Sequence, residues 1–392
     1  MTYTSRQFIL LFVCVALFAL GQFHRAAGAV AAPLWTDDFG LSAEQLGIVI
    51  GVIFVATILT QGPIGAALDR YGPRPVLTLT IAVVALGTYG CLLATGYASL
   101  LISRVVIGAG LASTGIGMYL ILARNFPGDQ FGFLNGLMVT LGGIGGLLAT
   151  YPLAALVDAL GWRPVFGALS LGTLALAAAI ALVTRPAPDN VRDPTTAVPL
   201  MTVLKVKGVL PILLMSTVTY APIVTITGLW GGPFYTDVHG LSLSETGAIL
   251  FALFAATMIA GTVFGVLDKR GLNRRAVVTF SALASAVCFA LAALGFGPYV
   301  TAVLFFGAIF AQNFYVPLLA ALKDAVPEAA IGRATSVFSI LGVGAIPVLQ
   351  AGYGALVAQS DNVARGHTTA LLAMATLIAS LALIYRATTP RG

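Results

Sequence analysis

Three ionisable side chains, His24, Arg25 and Arg104, interrupt stretches of this sequence that are otherwise apolar. A charge held near the centre of a bilayer costs at least ~2.5 kcal/mol on insertion scales, so such residues must be compensated and are functional candidates by default. Arg25 precedes Pro33 by eight residues, roughly 12 Å at helical rise, and Arg104 sits roughly 8 Å inside its own apolar stretch. A guanidinium presents a planar fork that pairs bidentately with carboxylate or phosphate, which makes Arg25 the candidate anchor for an anionic ligand. Capping of backbone carbonyls is the competing role. Gln22, three residues earlier, shares the Arg25 helix face, whereas His24 is turned about 100° away and meets another neighbour. An interhelical hydrogen bond is the simpler role for His24, with titration in a transport cycle as the alternative.

The acids are placed very differently. All fourteen Asp and Glu fall at helix ends or in loops, among them Asp37, Asp38, Glu44, Asp158, Asp237, Glu245 and Asp361 on one side and Asp69, Asp129, Asp268, Asp324 and Glu328 on the other. Proton coupling through a buried acid is therefore hard to build here. Facilitated diffusion, anion exchange, or symport with the proton on the substrate or on His24 remain. Tyr119, Tyr151, Tyr220, Gln312, Asn313 and Gln350 are further candidate binding residues, with Gln61, Asn135, Thr225 and Tyr315 as weaker ones. The sequence contains no Cys–His spacing, no metal-ligand pattern and no glycine-rich phosphate loop with lysine, so neither an enzyme nor a bound cofactor is expected. Cys14, Cys91 and Cys288 lie in apolar segments and read as small packing residues.

These residues need a membrane to position them. Hydrophobic residues make up 59% of the 392 and charged ones 9%, with a mean hydropathy of +0.99, a balance that no soluble domain shows. Spanning helices need ~20 mostly apolar residues. Twelve such runs are expected, over about 8–33, 44–68, 75–95, 98–123, 131–157, 163–184, 209–235, 243–267, 275–295, 298–322, 332–358 and 367–386. Gly142-x3-Gly146 and Gly261-x3-Gly265 are candidates for tight helix crossings.

The chain is also written twice. Pro33, Thr36, Asp37, Gly40, Leu41, Ser42, Gly47, Phe54, Ala56, Thr57 and Gly65 recur 200 residues later as Pro233, Thr236, Asp237, Gly240, Leu241, Ser242, Gly247, Phe254, Ala256, Thr257 and Gly265. Two pseudo-symmetric halves follow, 1–184 and 209–392, joined by a proline-rich linker at 185–208 whose end, 199–207, is either a short surface helix or an irregular segment. The repeat sets Thr225 opposite Arg25, so the second half has no matching arginine, and one dominant anionic group on the ligand fits that asymmetry. Arg6 and the apolar run behind it imitate a signal peptide, but removing them would delete the partner of the seventh helix.

Sixteen of the twenty Lys and Arg fall on one side when the N-terminus is cytoplasmic; Arg163 and Arg365 fall on the other. Basic loops are retained inside, so both termini are expected in the cytoplasm of an inner-membrane protein. The net charge of +6 is then a topology signal rather than a nucleic-acid footprint.

Gly65-Ala66-Ala67-Leu68-Asp69-Arg70-Tyr71-Gly72-Pro73-Arg74 resembles the cytoplasmic loop signature of the major facilitator superfamily, G-x-x-x-D-R-x-G-R-R/K, with Pro73 in place of a basic residue. A degenerate copy, Gly265, Asp268, Lys269, Gly271 and Arg274, stands in the second half. Arg104 to Gly110 resembles the family's R-x-x-x-G-x-G, and Leu156 to Phe166 its outer turn between the fifth and sixth helices. The resemblance implies an all-α integral membrane fold of two six-helix bundles, alternating access, a monomer, a conformational latch at Gly65, Asp69, Arg70, Gly72, Arg74 and Arg124, and a structural or coupling role for Arg104. The expected function is transport of a small organic anion. Drug or metabolite efflux and a non-transporting membrane sensor are the alternatives.

Overall fold

Long uncharged runs leave the backbone one way to satisfy its polar groups in lipid, an internal hydrogen-bond ladder, and the chain folds accordingly. The computed structural model describes residues 4–127, 130, 134, 137, 138, 140–184, 206, 208–270, 272–327 and 331–389. Among the described residues there is no strand, and twelve helical segments are long and apolar enough to cross a membrane. In chain order these spans are Ser5–Ala26, Ala43–Leu68, Pro73–Leu92, Tyr97–Asn125, Thr140–Leu160, Trp162–Val183, Val209–Val238, Leu243–Asp268, Arg274–Ala292, Pro298–Ala325, Ala334–Ala358 and Val363–Thr388. Asn135, most of 185–208 and the side chain of Asp69 lie outside the described residues.

Several spans start where a side chain caps them. Thr4 accepts from the Gln7 amide and Gln7 returns the bond, a reciprocal box that satisfies donors which the first turn leaves orphaned. Ser42 with Gln45 and Ser242 with Glu245 form the same box in the two copies of the repeat. Before each of these two boxes stands a glycine in the left-handed region, Gly40 at φ 60° and Gly240 at φ 64°, a conformation that costs other residues energy.

Four expected helices are broken, the first of them ending at Ala26 with a separate helix, Gly28–Phe39, following it. The seventh splits into Val209–Ser216, Ala221–Thr225 and two wide, π-helical turns, Ile226–Trp230 and Phe234–Val238, around Gly231–Pro233. Pro222 and Pro233 have no N–H to continue the ladder, and Gly228, Gly231 and Gly232 hold it weakly. The tenth divides into Pro298–Ala311 and Tyr315–Ala325 ahead of Pro317, and the fifth into Ile144–Leu148 and Tyr151–Leu160 at Pro152.

Contacts divide the chain into two compact units: Met1–Leu41 with Ile48–Asp193, and Ser42–Gly47 with Pro194–Gly392. The first centres on Leu17, Leu77, Ile81, Ile107 and Phe166, the second on Leu213, Phe289, Phe305, Phe314 and Leu318, all buried. Lipid tails are as apolar as leucine, so cohesion rests on close backbone approach and interhelical hydrogen bonds. A methyl on Gly145 would lie 1.9 Å from the Ala19 carbonyl oxygen, so the fifth span presses directly on the first. The Gly142 segment thus crosses tightly, with Gly145 at its closest point. The expected crossing at Gly261 and Gly265 does not form: both face open space, which a small-residue spacing alone cannot reveal.

Candidate functional site

Arg25 stands in the last turn of the first span and is half-buried. Its Nη1 donates to Gln22 Oε1 at 3.2 Å, the pairing that their three-residue spacing predicts. Gly21 makes room beneath it. A methyl there would meet Arg25 Nη1 at 3.3 Å and Thr114 Oγ1 at 3.1 Å, so guanidinium and hydroxyl gather over one glycine. Thr114 is buried and donates to Leu111 O at 2.8 Å, which leaves its oxygen able to accept. Nothing in the linear order linked Thr114 to Arg25.

Arg104 is 1% exposed, far more enclosed than Arg25. Its Nε donates to Val49 O at 3.4 Å and its guanidinium carbon lies 5.5 Å from the Trp35 ring centroid, within cation–π range. The glycines of its motif serve packing. A methyl on Gly108 would approach Ile53 O to 2.5 Å, and one on Gly110 would approach Thr80 O to 2.5 Å. Thr57 and Thr60 then bond across the crossing to Gly108 O at 2.9 Å and Ala109 O at 3.2 Å.

His24 is fully buried, and its Nε2 lies 3.5 Å from Thr88 Oγ1. Because the Thr88 hydroxyl already donates to Val84 O at 2.8 Å, it accepts from the ring, which assigns the hydrogen to Nε2. Nδ1 then holds a buried lone pair with no partner among the described residues.

In the second unit Gln312 and Gln350 are fully buried, and their side-chain amides are already engaged. Gln312 Nε2 donates to Val218 O, the carbonyl that Pro222 would serve in an unbroken helix had it an N–H. Gln350 Nε2 donates to Val224 O at 3.3 Å, beside the first wide turn. The two glutamines mend the broken seventh span, and each keeps a buried Oε1 with no partner among the described residues. Tyr220 and Asn313 are half-buried, with Asn313 Nδ2 donating to Ile309 O at 2.8 Å. Tyr119, Tyr151 and Tyr315 are exposed, as is Gln61. Thr225 is buried, its hydroxyl without a partner among the described residues.

Of the proposed latch, Gly72 is buried at φ 79° and starts the third span, while Arg70, Arg74 and Arg124 are exposed, Arg70 stacking 5.1 Å over Tyr71. Gly65 faces open space. In the degenerate copy Arg274 grips Asp268 with two bonds, 2.6 and 3.1 Å, and also reaches Asp324.

Two features escaped the sequence reading. Asp38 Oδ2 accepts from Trp162 Nε1 at 2.9 Å and Arg163 Nη1 at 2.7 Å, clamping the turn before the sixth span. In the second unit Trp230 stacks on Tyr353 at 5.0 Å, and the Tyr353 hydroxyl meets His367 Nδ1 at 3.0 Å. The aromatic residues were visible in the sequence, but their partners lie 124 and 14 residues away.

Twelve apolar spans in a duplicated order, with guanidinium groups inside spans and carboxylates at their ends, define a multi-pass membrane protein. The sequence profile described as Major Facilitator Superfamily matches residues 11–349. The hexuronate transporter of Bacillus subtilis (strain 168) is 24% identical over 305 residues, 72% of either chain. The probable sulfoacetate transporter SauU of Cupriavidus necator is 30% identical over 179 residues, 43% of this chain and 40% of that one. Among solved structures, a bacterial homolog of the human lysosomal transporter Spinster, inward-facing and unoccupied, superposes with a TM-score of 0.81 at 18% identity, over 99% of this chain and 98% of the other. The chain belongs to the Major Facilitator Superfamily. It is a transporter and not an enzyme.

Proposed function

We propose that this transporter carries a small organic anion by alternating access, with Arg25 as the anchor for the anionic group. The observation that carries the reading is the Arg25 cluster: a half-buried guanidinium in a spanning helix, braced by neutral Gln22 and set beside Thr114 over Gly21. A planar guanidinium fork within a spanning helix suits a carboxylate, sulfonate or phosphate. Arg104, enclosed and stacked on Trp35, fits a structural or coupling role instead. The names of two relatives, a hexuronate and a sulfoacetate transporter, support an anionic cargo. Tyr119 and Tyr151, exposed in the same unit as Arg25, are further residues for the cargo, while Gln312 and Gln350, fully buried against the seventh span, serve its backbone. The protein acts as a monomer in the cytoplasmic membrane with both termini inside, as the basic loops direct.

Thermal unfolding of detergent-purified protein against hexuronates, sulfonates, phosphates, neutral sugars and lipophilic cations tests the reading, since a ligand that binds the native state raises its stability. Stabilisation by an anion, lost in Arg25→Gln, is the expected result. Stabilisation by cations or neutral compounds alone, unchanged in the variant, would overturn it and favour efflux of amphipathic drugs or metabolites.

A further inference from the structure

His367, in the second turn of the twelfth span, is 1% exposed and has no part in holding the cargo. Its Nδ1 meets the Tyr353 hydroxyl, and its Nε2 is buried with no partner among the described residues. The imidazole packs edge-on against Trp230 and Phe234, with ring centroids 6.0 and 5.5 Å away. A second imidazole, His239, meets the same Phe234 ring at 5.1 Å. His239 is half-buried in the loop after the seventh span, and its Nε2 is likewise without a partner among the described residues. Phe234 thus touches one histidine that reaches solvent and one that does not. Neither tautomer of His367 is satisfied. If the Tyr353 hydroxyl donates to Nδ1, the hydrogen on Nε2 lacks an acceptor; if Nδ1 donates, both the Nε2 lone pair and the phenol hydrogen are left over.

The place of this ring in the fold makes a charge on it consequential. Trp230 closes the first wide turn of the broken seventh span and donates from Nε1 to Gln350 O, while Phe234 opens the second wide turn. His367 and Tyr353 therefore join the twelfth and eleventh spans to both weak points of the seventh. We propose that His367 is a proton-binding site of the transporter, loaded from the solvent beside His239, and that its charge parts the rings of Trp230, Phe234 and Tyr353 and so rearranges the seventh span. The proton adds to the ring lone pair and forms one N–H bond. An imidazolium has two donors and no acceptor, so Tyr353 must turn its own hydrogen away and Nε2–H must find an acceptor that the closed aromatic cluster does not offer. The titratable groups around the ring are Tyr353 on the eleventh span, His239 beyond the seventh, Tyr235 against Phe234, and exposed Arg365 on the same helix. The ninth span, packed along the twelfth, carries only Cys288 between Ala276 and Ala292, with its sulfur toward Gly307, and Val209–Ser216 carries none. No carboxylate contacts His367 among the described residues. A buried charge without a counter-ion is costly, so proton uptake favours the form in which these rings separate and water reaches Nε2. The site is independent of Arg25 and of which solute is carried.

The chain has three histidines, so full-length protein labelled with nitrogen-15 histidine in lipid nanodiscs gives three imidazoles to follow by magnetic resonance, assigned with His24→Gln, His239→Gln and His367→Gln. Titrated from about pH 8 to 4.5, the His367 nitrogens should move reversibly to imidazolium shifts while circular dichroism keeps its helical signal. Emission from Trp230, read as the difference between the parent and Trp230→Phe, should change over the same interval. That change should vanish in His367→Gln, whose amide can still bond the Tyr353 hydroxyl and keep the packing, and should survive in His24→Gln. In Tyr353→Phe, which removes the bond to Nδ1, the His367 midpoint should shift. A His367 ring that stays neutral over the whole range, or titrates only as the helices melt, would overturn the proposal. So would a Trp230 emission change that persists in His367→Gln.

Discussion

At the residue scale the decisive groups are polar side chains that lipid cannot hydrate. Gln312 shows the logic most directly. Pro222 frees the Val218 carbonyl, and the Gln312 amide fills the vacancy. Replacing it with leucine leaves a buried acceptor unsatisfied, and the expected loss is about 1–3 kcal/mol. Gln312→Met, which keeps the length but carries no donor, should cost as much; thermal unfolding of both variants checks this, and a stable methionine variant would refute the donor role. His239, just beyond the seventh span, gives a pH signature. Burial holds its imidazole below the ordinary histidine value. The unfolded chain then binds the proton more tightly, so its contribution to stability is full above about pH 6.5 and is lost as pH falls. Melting measured from about pH 7.5 to 5 should slope less in His239→Gln than in the parent protein; identical slopes would assign the titration elsewhere.

Helices are the next scale, and there spacing and contact part company. The pattern Gly-x3-Gly occurs at Gly142 and at Gly261, yet only the first segment meets a neighbouring helix. Gly145→Ala places a methyl against Ala19 O and should destabilise by about 1–3 kcal/mol, the cost of overpacking. Gly265→Ala faces open space and should be neutral or gain up to ~1 kcal/mol from helix propensity. Comparing the two melting temperatures in one detergent decides between crossing and coincidence. The seventh span follows the same reasoning. Its composition reads as one continuous helix, but two prolines and three glycines remove so much of the ladder that Gln312, Gln350 and the Trp230 bond to Gln350 O, at 3.0 Å, must hold it. A hydropathy window registers none of this, because the side chains that repair the break come from the tenth and eleventh spans.

For the whole molecule, charge distribution carries the orientation. A cysteine at Asp361 should react with a membrane-impermeant maleimide on intact cells, and one at Lys323 only after permeabilisation; the reverse pattern would invert the proposed topology. The residues themselves determined the membrane class, the number of spans, the duplication and the family, because twenty-residue apolar runs and a fixed offset of 200 are properties of linear order. Linear order also paired Gln22 with Arg25, since helical periodicity alone brings them to one face. Only the tertiary structure decided that Thr114 joins Arg25, that Arg104 is enclosed under Trp35, and that Gln312 and Gln350 serve a broken backbone. Each of those contacts joins different helices. Which faces of two apolar helices meet is set by backbone approach and by hydrogen bonds left wanting, and lipid supplies no solvent preference that would write the choice into hydropathy.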